Sequence, residues 1–273
     1  GMSKHVRTRS LRDTGINTID RNYVRAAFLN FNDTLPIDLL YMLGDNAYYS
    51  GTDQEYQDAF FQNHYEDILK NIPVFSVAGN HENYTANAIT QTGPYYDIFT
   101  FPKNGECGGL PSGSEAYYSF DYGNIHFIAL ETNTLSLLQT GSVMLNWLQS
   151  DISATQQKWK IVVFHNSPYT KGGHNSDTET DLILIRQNIM PILDQHKVDL
   201  VLCGHNHVYE RSYFMDGHYG LSSTFDSTMV VDTSYGQLPQ PYLKKSSKDY
   251  KGLVVVQAGC SGVLDPVGPE WPH

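Results

Sequence analysis

Five short apolar segments, each ending abruptly in polar residues, constrain the fold of this chain more than any other feature. They are LLYML before Gly44-Asp45, PVFSVA before Gly79-Asn80-His81, IHFIAL before Glu131-Thr132, KIVVF before His165, and VDLVLC before Gly204-His205. Continuous apolarity over five or six residues is typical of strands covered on both faces. Such strands need helices on their sheet, so the pattern predicts an α/β fold.

Helix-like segments and further strands support this prediction. Residues 53–70 place most of their aromatic and aliphatic side chains on one face, and residues 178–196 have a helical rhythm interrupted at Pro191. Segment 117–130 is typical of two strands around a tight turn, and TMVV and GLVVVQAG add strands late in the chain. More than one sheet is therefore expected.

Composition indicates a folded protein and limits its partners. The 273 residues are 40% hydrophobic and 12% aromatic, and 18 Lys+Arg against 29 Asp+Glu give a net charge of −11. Broad nucleic-acid binding is not expected, because affinity for phosphate backbones comes largely from clustered positive charge. No apolar run approaches the roughly 18 residues of a membrane-spanning helix, and the N-terminus lacks the apolar segment of a secretory signal. We expect a soluble protein, which would be secreted or periplasmic only if a signal had been removed.

Cysteine spacing and loop lengths complete the organisation. Cys107, Cys203 and Cys260 show no CxxC spacing, so neither a disulfide framework nor a zinc-thiolate site is expected. Loops as long as the loop-like stretch 84–116 are uncommon in compact domains unless they have a function, so this stretch is expected to border a site. Without a repeat or a low-complexity linker, residues 1–273 are predicted to form a single domain.

The polar side chains at the strand ends suit a metal site. In α/β sheets, ligands bind beyond the carboxyl ends of the strands. The side chains that collect there are Asp45, Tyr48, Asn80, His81, His165, His205 and His207. Oxygen and imidazole ligands together suit Zn, Mn or Fe, and the absence of thiolates disfavours a structural zinc site. Two histidines at i and i+2 can also point toward two neighbouring ions.

The motifs GDNAYY at 44–49, GNHE at 79–82, FHNSP at 164–168 and GHNHVYER at 204–211, in that order, resemble the calcineurin-like metallophosphoesterases, and within them the purple acid phosphatases. The resemblance extends from about residue 11 to residue 262. Tyr48, three residues after the aspartate, and a first motif of the form Asp-x-Gly favour this subgroup over the related cyclic-nucleotide phosphodiesterases. The fold that the resemblance implies is a four-layer α-β-β-α sandwich of two mixed sheets flanked by helices.

The two ends of the chain depart from the family pattern. The first motif normally follows an apolar strand, but here Arg12-Asp13-Thr14-Gly15 follows HVRTRSL, a poor strand because Arg7 and Arg9 interrupt it. Asp13 nevertheless lies 32 residues before Asp45, which is the spacing that the family shows. The chain also stops soon after AGCSG, so we expect the first strand and the C-terminal strands of the domain to be incomplete.

The resemblance implies a centre of two metal ions, Fe(III) and a divalent Zn, Mn or Fe ion. The implied ligands are Asp13, Tyr48 and His207 for the first ion and Asn80, His165 and His205 for the second, with Asp45 bridging both. A phenolate and carboxylates are hard donors suited to a trivalent ion, whereas an amide oxygen and neutral imidazoles suit a divalent one.

The implied activity is that of an acid phosphatase that hydrolyses phosphate monoesters through in-line attack by a metal-bound hydroxide. His81 and His174 match positions where the family keeps histidines that assist the leaving alkoxide. Glu210 and Arg211 are expected to brace the last ligand loop. The other histidines are interpreted as surface or packing residues, namely His5, His64, His126, His196, His218 and His273.

Two alternatives remain open beside a phosphomonoesterase. One is a phosphodiesterase or nucleotidase on the same metal centre, because the motifs do not specify what lies beyond the scissile phosphate. The other is a degenerate, non-catalytic scaffold of the same fold. The expected partner is a small phosphoester, and the sequence makes no prediction of the oligomeric state.

Overall fold

The computed structural model describes residues 8–11, 19–62, 66–234, 236, 239–244 and 251–266. Its strands, in chain order, are β1 (Thr8–Leu11), β2 (Leu39–Met42), β3 (Val74–Ser76), β4 (Tyr118–Tyr122), β5 (Ile125–Ala129), β6 (Trp159–Val163), β7 (Leu200–Cys203), β8 (Tyr209–Arg211), β9 (Phe214–Met215), β10 (Val230–Asp232) and β11 (Val254–Ala258). Its α-helices are α1 (Ile19–Thr34), α2 (Asp53–Tyr56), α3 (Glu66–Leu69), α4 (Pro94–Ile98), α5 (Val143–Ala154), α6 (Thr180–Leu184) and α7 (Met190–Gln195).

These strands form two main sheets and a small antiparallel pair within the described residues. The first sheet has the order β1-β2-β3 and is parallel. The second sheet has the order β4-β5-β6-β7-β11-β8, in which the four inner strands are parallel and the two edge strands are antiparallel to their neighbours. Strands β9 and β10 pair separately. The α/β class and the hairpin over 117–130 are thereby confirmed.

The first strand differs from the sequence-based expectation. HVRTRSL is a poor strand by composition, yet Thr8–Leu11 pairs in parallel with Leu39–Met42, whose four residues are all buried. The physical reason is that an apolar, buried neighbour offers a ladder of backbone partners, and this pairing outweighs weak intrinsic strand preference. Asp13, the proposed first ligand, lies outside the described residues.

Both predicted helices are divided into pieces. The segment predicted at 53–70 contains α2, the π-helical turn Gln57–Phe61 and α3. The segment predicted at 178–196 contains α6, the π-helical turn Ile185–Ile189 and α7, with Pro191 in the first turn of α7. A proline ring clashes with the preceding helical turn, and a π-helical turn is one way for a helix to accommodate it. None of the helices in the described ranges is long and apolar enough to cross a membrane.

Aromatic side chains join the two main sheets face to face. Phe75 of β3 stacks on Phe120 of β4 with ring centroids 3.9 Å apart, and Tyr41 of β2 lies 6.3 Å from Phe127 of β5. Helix α1 contributes Phe28 to the same core. On the second sheet, α5 buries side chains spaced along one helical face: Met144, Leu145, Leu148 and Ile152. The result is two sheets flanked by helices, and the loops that follow their parallel strands carry the predicted site residues.

Candidate metal centre

The loops after β2, β3, β6 and β7 bring the proposed ligands together. Asp45, His165 and His205 are buried, and one potential ligand atom from each lies within 4.8 Å of those of the other two. Asn80 joins them, because its Oδ1 atom lies 3.1 Å from Nε2 of His165 and 2.9 Å from Nδ1 of His205. Residues far apart in the chain therefore present oxygen and nitrogen atoms to one point.

Tyr48 and His207 form a second group of donors beside the Asp45 carboxylate. The Tyr48 hydroxyl donates a hydrogen bond to Oδ2 of Asp45 at 2.9 Å and lies 3.0 Å from Nε2 of His207. The same Oδ2 atom lies 3.3 Å from Nε2 of His165. Asp45 thus stands between two groups of donors, which is where a bridging ligand would have to be. Its role as a ligand stays a prediction.

Two glycines allow the loops to approach this closely. A Cβ atom at Gly44, which has φ +92°, would lie 2.3 Å from Nδ1 of His165, and one at Gly79 would lie 2.1 Å from Oδ1 of Asp45. Asp45 and His205 themselves have positive φ angles of 52° and 70°, which non-glycine residues adopt infrequently. Backbone strain of this kind concentrates at functional sites.

Glu82 holds the Asp45 loop in place, although it is not among the site residues predicted from the sequence. Its buried carboxylate accepts hydrogen bonds from the backbone N–H groups of Asp45, Asn46, Ala47 and Gly79, at 2.9, 2.7, 3.2 and 2.6 Å. Burial raises the pKa of Glu82 to about 7, and the charge of Asp45 adds to the effect. Its place at the end of the GNHE motif was the available signal.

The protonation states fit metal binding, which requires neutral imidazoles and an ionised carboxylate. Nδ1 of His165 lies 2.7 Å from the carbonyl oxygen of Leu43, so this nitrogen carries the proton, and the lone pair of Nε2 is available to a metal ion. Burial lowers the pKa of His205 well below its usual value, and the charges of neighbouring histidines lower it further. Burial also lowers the pKa of His207.

The Asp45 carboxyl responds to its surroundings in the opposite way. Burial acts to raise the pKa of Asp45, but when the neighbouring histidines are protonated, the charge and hydrogen bond of His165 and the charges of His81 and His205 lower it well below its usual range. The set of one carboxylate, a phenol, an amide oxygen and imidazoles is therefore chemically suited to hold hard and borderline metal ions.

The two proposed catalytic histidines lie beside these donors. The backbone N–H of His81 donates to Oδ1 of Asp45 at 3.0 Å, and its Nδ1 lies 2.8 Å from the carbonyl oxygen of Tyr49. The His174 ring stacks on His205 with centroids 3.7 Å apart. Both histidines therefore border the donor cluster, as expected from their place in the motifs.

Glu179 was missed by the sequence analysis. Its Oε2 atom lies 2.8 Å from Nδ1 of His174, and its Oε1 accepts the backbone N–H of Asn175 at 2.5 Å. Ligand atoms of His174, Glu179 and His205 also lie within 4.8 Å of one another. Glu179 follows the FHNSP motif in a polar stretch that carries no distinctive pattern, so only the fold reveals the contact.

Asp265 and Glu210 support the two ends of the last ligand loop. Oδ2 of Asp265 lies 3.5 Å from Nδ1 of His207, and the backbone N–H of Asp265 donates to the carbonyl oxygen of His207 at 3.0 Å. Glu210 accepts hydrogen bonds from the Thr170 hydroxyl and the Lys171 backbone, at 2.5 and 3.2 Å, so it braces this loop as expected. Asp265 was not predicted, because it is brought back to the site by the C-terminal segment.

Comparison with known proteins gives a consistent picture. The family model described as calcineurin-like phosphoesterase matches residues 17–209. Purple acid phosphatase 13 of Arabidopsis thaliana is 28% identical over 242 residues, which are 82% of this chain and 41% of the relative. The probable inactive purple acid phosphatase 9 of the same plant is 29% identical over 192 residues, which are 62% of this chain and 29% of the relative.

Among solved structures, the purple acid phosphatase PPD1 from yellow lupin seeds has the same fold. The TM-score is 0.64 at 19% identity, and the alignment covers 99% of this chain and 47% of the lupin chain. The chain thus spans less than half the length of these relatives.

Proposed function

The chain belongs to the calcineurin-like phosphoesterase family, and from that premise we propose that it is a metal-dependent acid phosphatase acting on phosphate monoesters. The position of Asp45 supports this most directly. Its buried carboxylate lies between the Tyr48 hydroxyl at 2.9 Å and Nε2 of His165 at 3.3 Å, so a single side chain touches both groups of donors. An arrangement of this kind suits two ions that share a ligand.

We assign the ligands in two groups around Asp45. The first group is Tyr48 and His207, with Asp13 added from the sequence motif, and the second is Asn80, His165 and His205. The phenol favours Fe(III) in the first group, and the amide oxygen with two imidazoles favours Zn, Mn or Fe(II) in the second. Two ions held there would supply Lewis acidity that polarises the phosphate group and lowers the pKa of water.

His174 is proposed to protonate the leaving alkoxide. Oε2 of Glu179 lies 2.8 Å from Nδ1 of His174, and stacking on His205 orients the His174 ring. Nε2 of His174 is then the nitrogen that donates a proton to the substrate. His81 is anchored through its backbone N–H to Asp45 and through Nδ1 to Tyr49. It is thereby positioned to contact the phosphate oxygens of a bound ester.

Phosphate release by the purified chain, supplied with iron and zinc or manganese, tests the proposal. We expect hydrolysis of a monoester, and a loss of kcat of about 100-fold or more in Asp45→Asn, because even outer partners of metal ligands cost ten- to hundredfold. Asp97→Asn, an exposed aspartate in α4, is the matched control and should retain activity. Unchanged turnover in Asp45→Asn would place the active site elsewhere.

The two alternatives are separated by the same assay. A phosphodiesterase or nucleotidase on this centre would show a higher kcat/KM for a diester or a nucleotide than for a simple monoester. A non-catalytic scaffold would bind metal yet release no phosphate from any ester. The non-catalytic alternative is supported by the similarity to a relative that is described as probably inactive.

A further inference from the structure

Two exposed tyrosines, Tyr49 and Tyr84, lie beside Tyr48 and His81 at the border of the proposed metal centre. The side chains of Tyr49 and Tyr84 are 68% and 71% exposed, which is a large exposed fraction for aromatic rings. The ring of Tyr49 lies 6.1 Å from that of Tyr48, and the ring of Tyr84 lies 5.9 Å from that of His81. The rings of Tyr48 and His81 lie 4.2 Å apart, so all four form one continuous series.

This series leads from the ligands to the protein surface. At its inner end, the Tyr48 hydroxyl contacts Asp45 at 2.9 Å and His207 at 3.0 Å. At its outer ends, Tyr49 and Tyr84 present their rings to solvent. Single exposed apolar side chains are common on proteins and need no explanation. Two whose rings lie beside Tyr48 and His81, at the border of the donor cluster, form an aromatic surface next to the proposed centre.

Hydrogen bonds hold the backbone of Tyr49 in place. Its N–H donates to the carboxylate of Glu55, and its carbonyl oxygen lies 2.8 Å from Nδ1 of His81. The same glutamate accepts the backbone N–H groups of Ser50 and Thr52 at 3.0 and 2.9 Å, while its own backbone N–H donates to the Thr52 hydroxyl. The loop that carries Tyr49 is therefore fixed to α2.

Tyr84 lies on a second loop that is tied to the first. It ends the 3₁₀-helical turn Glu82–Tyr84, and the next residue, Thr85, donates its hydroxyl to the carbonyl oxygens of Ser50 and Gly51, both at 2.8 Å. Because these contacts hold the backbone of both loops, the loops lose little conformational freedom when a ligand binds. Preorganised groups of this kind give more affinity for the same contact.

We propose that Tyr49 and Tyr84 form an aromatic rim that selects phosphate monoesters whose organic group carries a flat aromatic ring. The proposal rests on the proposed function, since the phosphate group must be held at the metal centre for the ring to reach the rim. The substrate ring packs against one or both tyrosines by stacking or edge-to-face contact. Aliphatic esters of the same size make weaker contacts, because they lack a π-face.

Paired substrates test the rim without changing the chemistry of the leaving group. Benzyl phosphate and cyclohexylmethyl phosphate place a six-membered ring at the same distance from phosphorus, and their leaving alcohols are similar in basicity. We expect KM for benzyl phosphate to be lower by about three- to tenfold, the range that a good aromatic pair provides. In the double variant Tyr49→Ala/Tyr84→Ala the ratio of the two KM values should fall to about one.

Conservative and remote variants complete the test. Tyr49→Phe/Tyr84→Phe keeps both rings and should keep the preference, and so should Tyr122→Ala, which removes a partly exposed tyrosine at the opposite end of the second sheet. Equal KM values for the two esters in the wild type, or a preference that persists in the double alanine variant, would overturn the proposal.

Binding of non-hydrolysable analogues separates this proposal from the proposed function. Calorimetric titration with phenylphosphonate and cyclohexylphosphonate should show the same preference and the same loss in the double alanine variant. A chain that prefers phenylphosphonate through the two tyrosines but hydrolyses no ester would refute the phosphatase and leave the rim intact. Hydrolysis without any aromatic preference would refute the rim and leave the phosphatase intact.

Discussion

At the scale of single residues, the Tyr48 hydroxyl contacts both Asp45 and His207, so it reports on the metal in the first group of ligands. We expect a protein containing iron to be visibly coloured, since a tyrosinate bound to Fe(III) absorbs visible light, and Tyr48→Phe to lose this absorption. Tyr41→Phe alters a buried tyrosine whose hydroxyl donates a hydrogen bond to the Tyr118 hydroxyl, and this variant should keep the visible absorption. A colourless wild type containing only zinc or manganese would contradict the iron assignment.

Glu179 is expected to matter through the histidine that it positions. Glu179→Gln removes the negative partner of His174 at nearly constant size, so kcat should fall by about ten- to hundredfold, a part of what a general acid contributes. The pH profile of kcat should change as well, while metal content stays the same. The matched control is Glu106→Gln in an exposed loop. A profile identical to that of the wild type would show that Glu179 does not position the proton donor.

At the scale of elements, His126 joins the hairpin β4–β5 to α5. Its side chain is fully buried, with Nδ1 2.7 Å from Oδ1 of Asp121 and Nε2 2.8 Å from Oδ2 of Asp151. Oδ1 of Asp151 also accepts hydrogen bonds from the Leu110 backbone and the Ser119 hydroxyl, at 2.7 and 2.9 Å. With a carboxylate at each nitrogen, the imidazolium form is the one that satisfies all these groups.

The stability of the wild type should therefore depend on pH through His126. Burial acts to lower the pKa of His126, but the hydrogen bonds and charges of Asp151 and Asp121 raise it above its usual value. A raised pKa in the folded state gives stability that is complete below the unfolded pKa, about 6.5, and is lost as pH rises through the folded pKa. The loss is about 1.4 kcal/mol for each unit by which the two pKa values differ.

Urea unfolding between pH 6 and pH 9, at constant metal concentration, measures this effect. The free energy of unfolding of the wild type minus that of His126→Asn should decrease with increasing pH. Asp121→Asn, which removes one of the two carboxylates, should reduce the slope without abolishing it. A difference that stays constant over this range would contradict the assignment of an imidazolium.

The sequence predicts the strands of this fold better than its helices. Continuous apolar runs identify β2, β3, β5, β6 and β7, because strands covered on both faces must be apolar throughout. Strand β1 does not show this pattern, because it contains Arg9, and its pairing with β2 compensates for the polar side chain. Apolar periodicity also cannot show where a helix contains a π-helical turn, because one extra residue barely disturbs the pattern.

The candidate site is predictable to the extent that its residues stand at strand ends. The pattern of strands locates four of them, which lie two to four residues after the ends of β2, β3, β6 and β7, namely Asp45, Asn80, His165 and His205. The supporting carboxylates act in two ways: Glu82 accepts hydrogen bonds from backbone N–H groups, whereas Glu179 and Asp265 contact Nδ1 of a histidine ring. The sequence does not identify them, because such contacts depend on how the loops fold against one another.

At the scale of the whole molecule, the proposed metal ions would join the two main sheets. Asp45 and Asn80 come from loops of the first sheet, and His165, His205 and His207 come from loops of the second. An ion bound only by the folded state stabilises it by about 2.7 kcal/mol when the free ion exceeds its Kd a hundredfold. Metal removal should therefore weaken the association of the sheets.

Thermal unfolding before and after chelation checks this coupling. We expect removal of metal to lower Tm by about 5–10 °C, since 1 kcal/mol corresponds to roughly 2–4 °C for a domain of this size. Asp45→Asn, which lacks the shared ligand, should respond less to the chelator. Identical Tm values with and without metal would show that the proposed ligands do not bind it in the folded state.

The charge of the whole molecule is also informative. A net charge of −11 opposes an anionic substrate at long range, whereas two metal ions would concentrate positive charge at the place where a phosphate binds. The global and local charges would thus have opposite sign. This favours a small phosphoester as substrate over an extended polyanion.

The number of metal ions bound per chain tests the central claim most directly. Elemental analysis of the purified chain, on the samples used for phosphate release, should find about two ions per chain. In Asp45→Asn both the metal content and the phosphate release should fall together, because the shared carboxylate is lost. A wild type that hydrolyses monoesters without bound metal, or an Asp45→Asn variant that keeps both ions and full activity, would contradict the account.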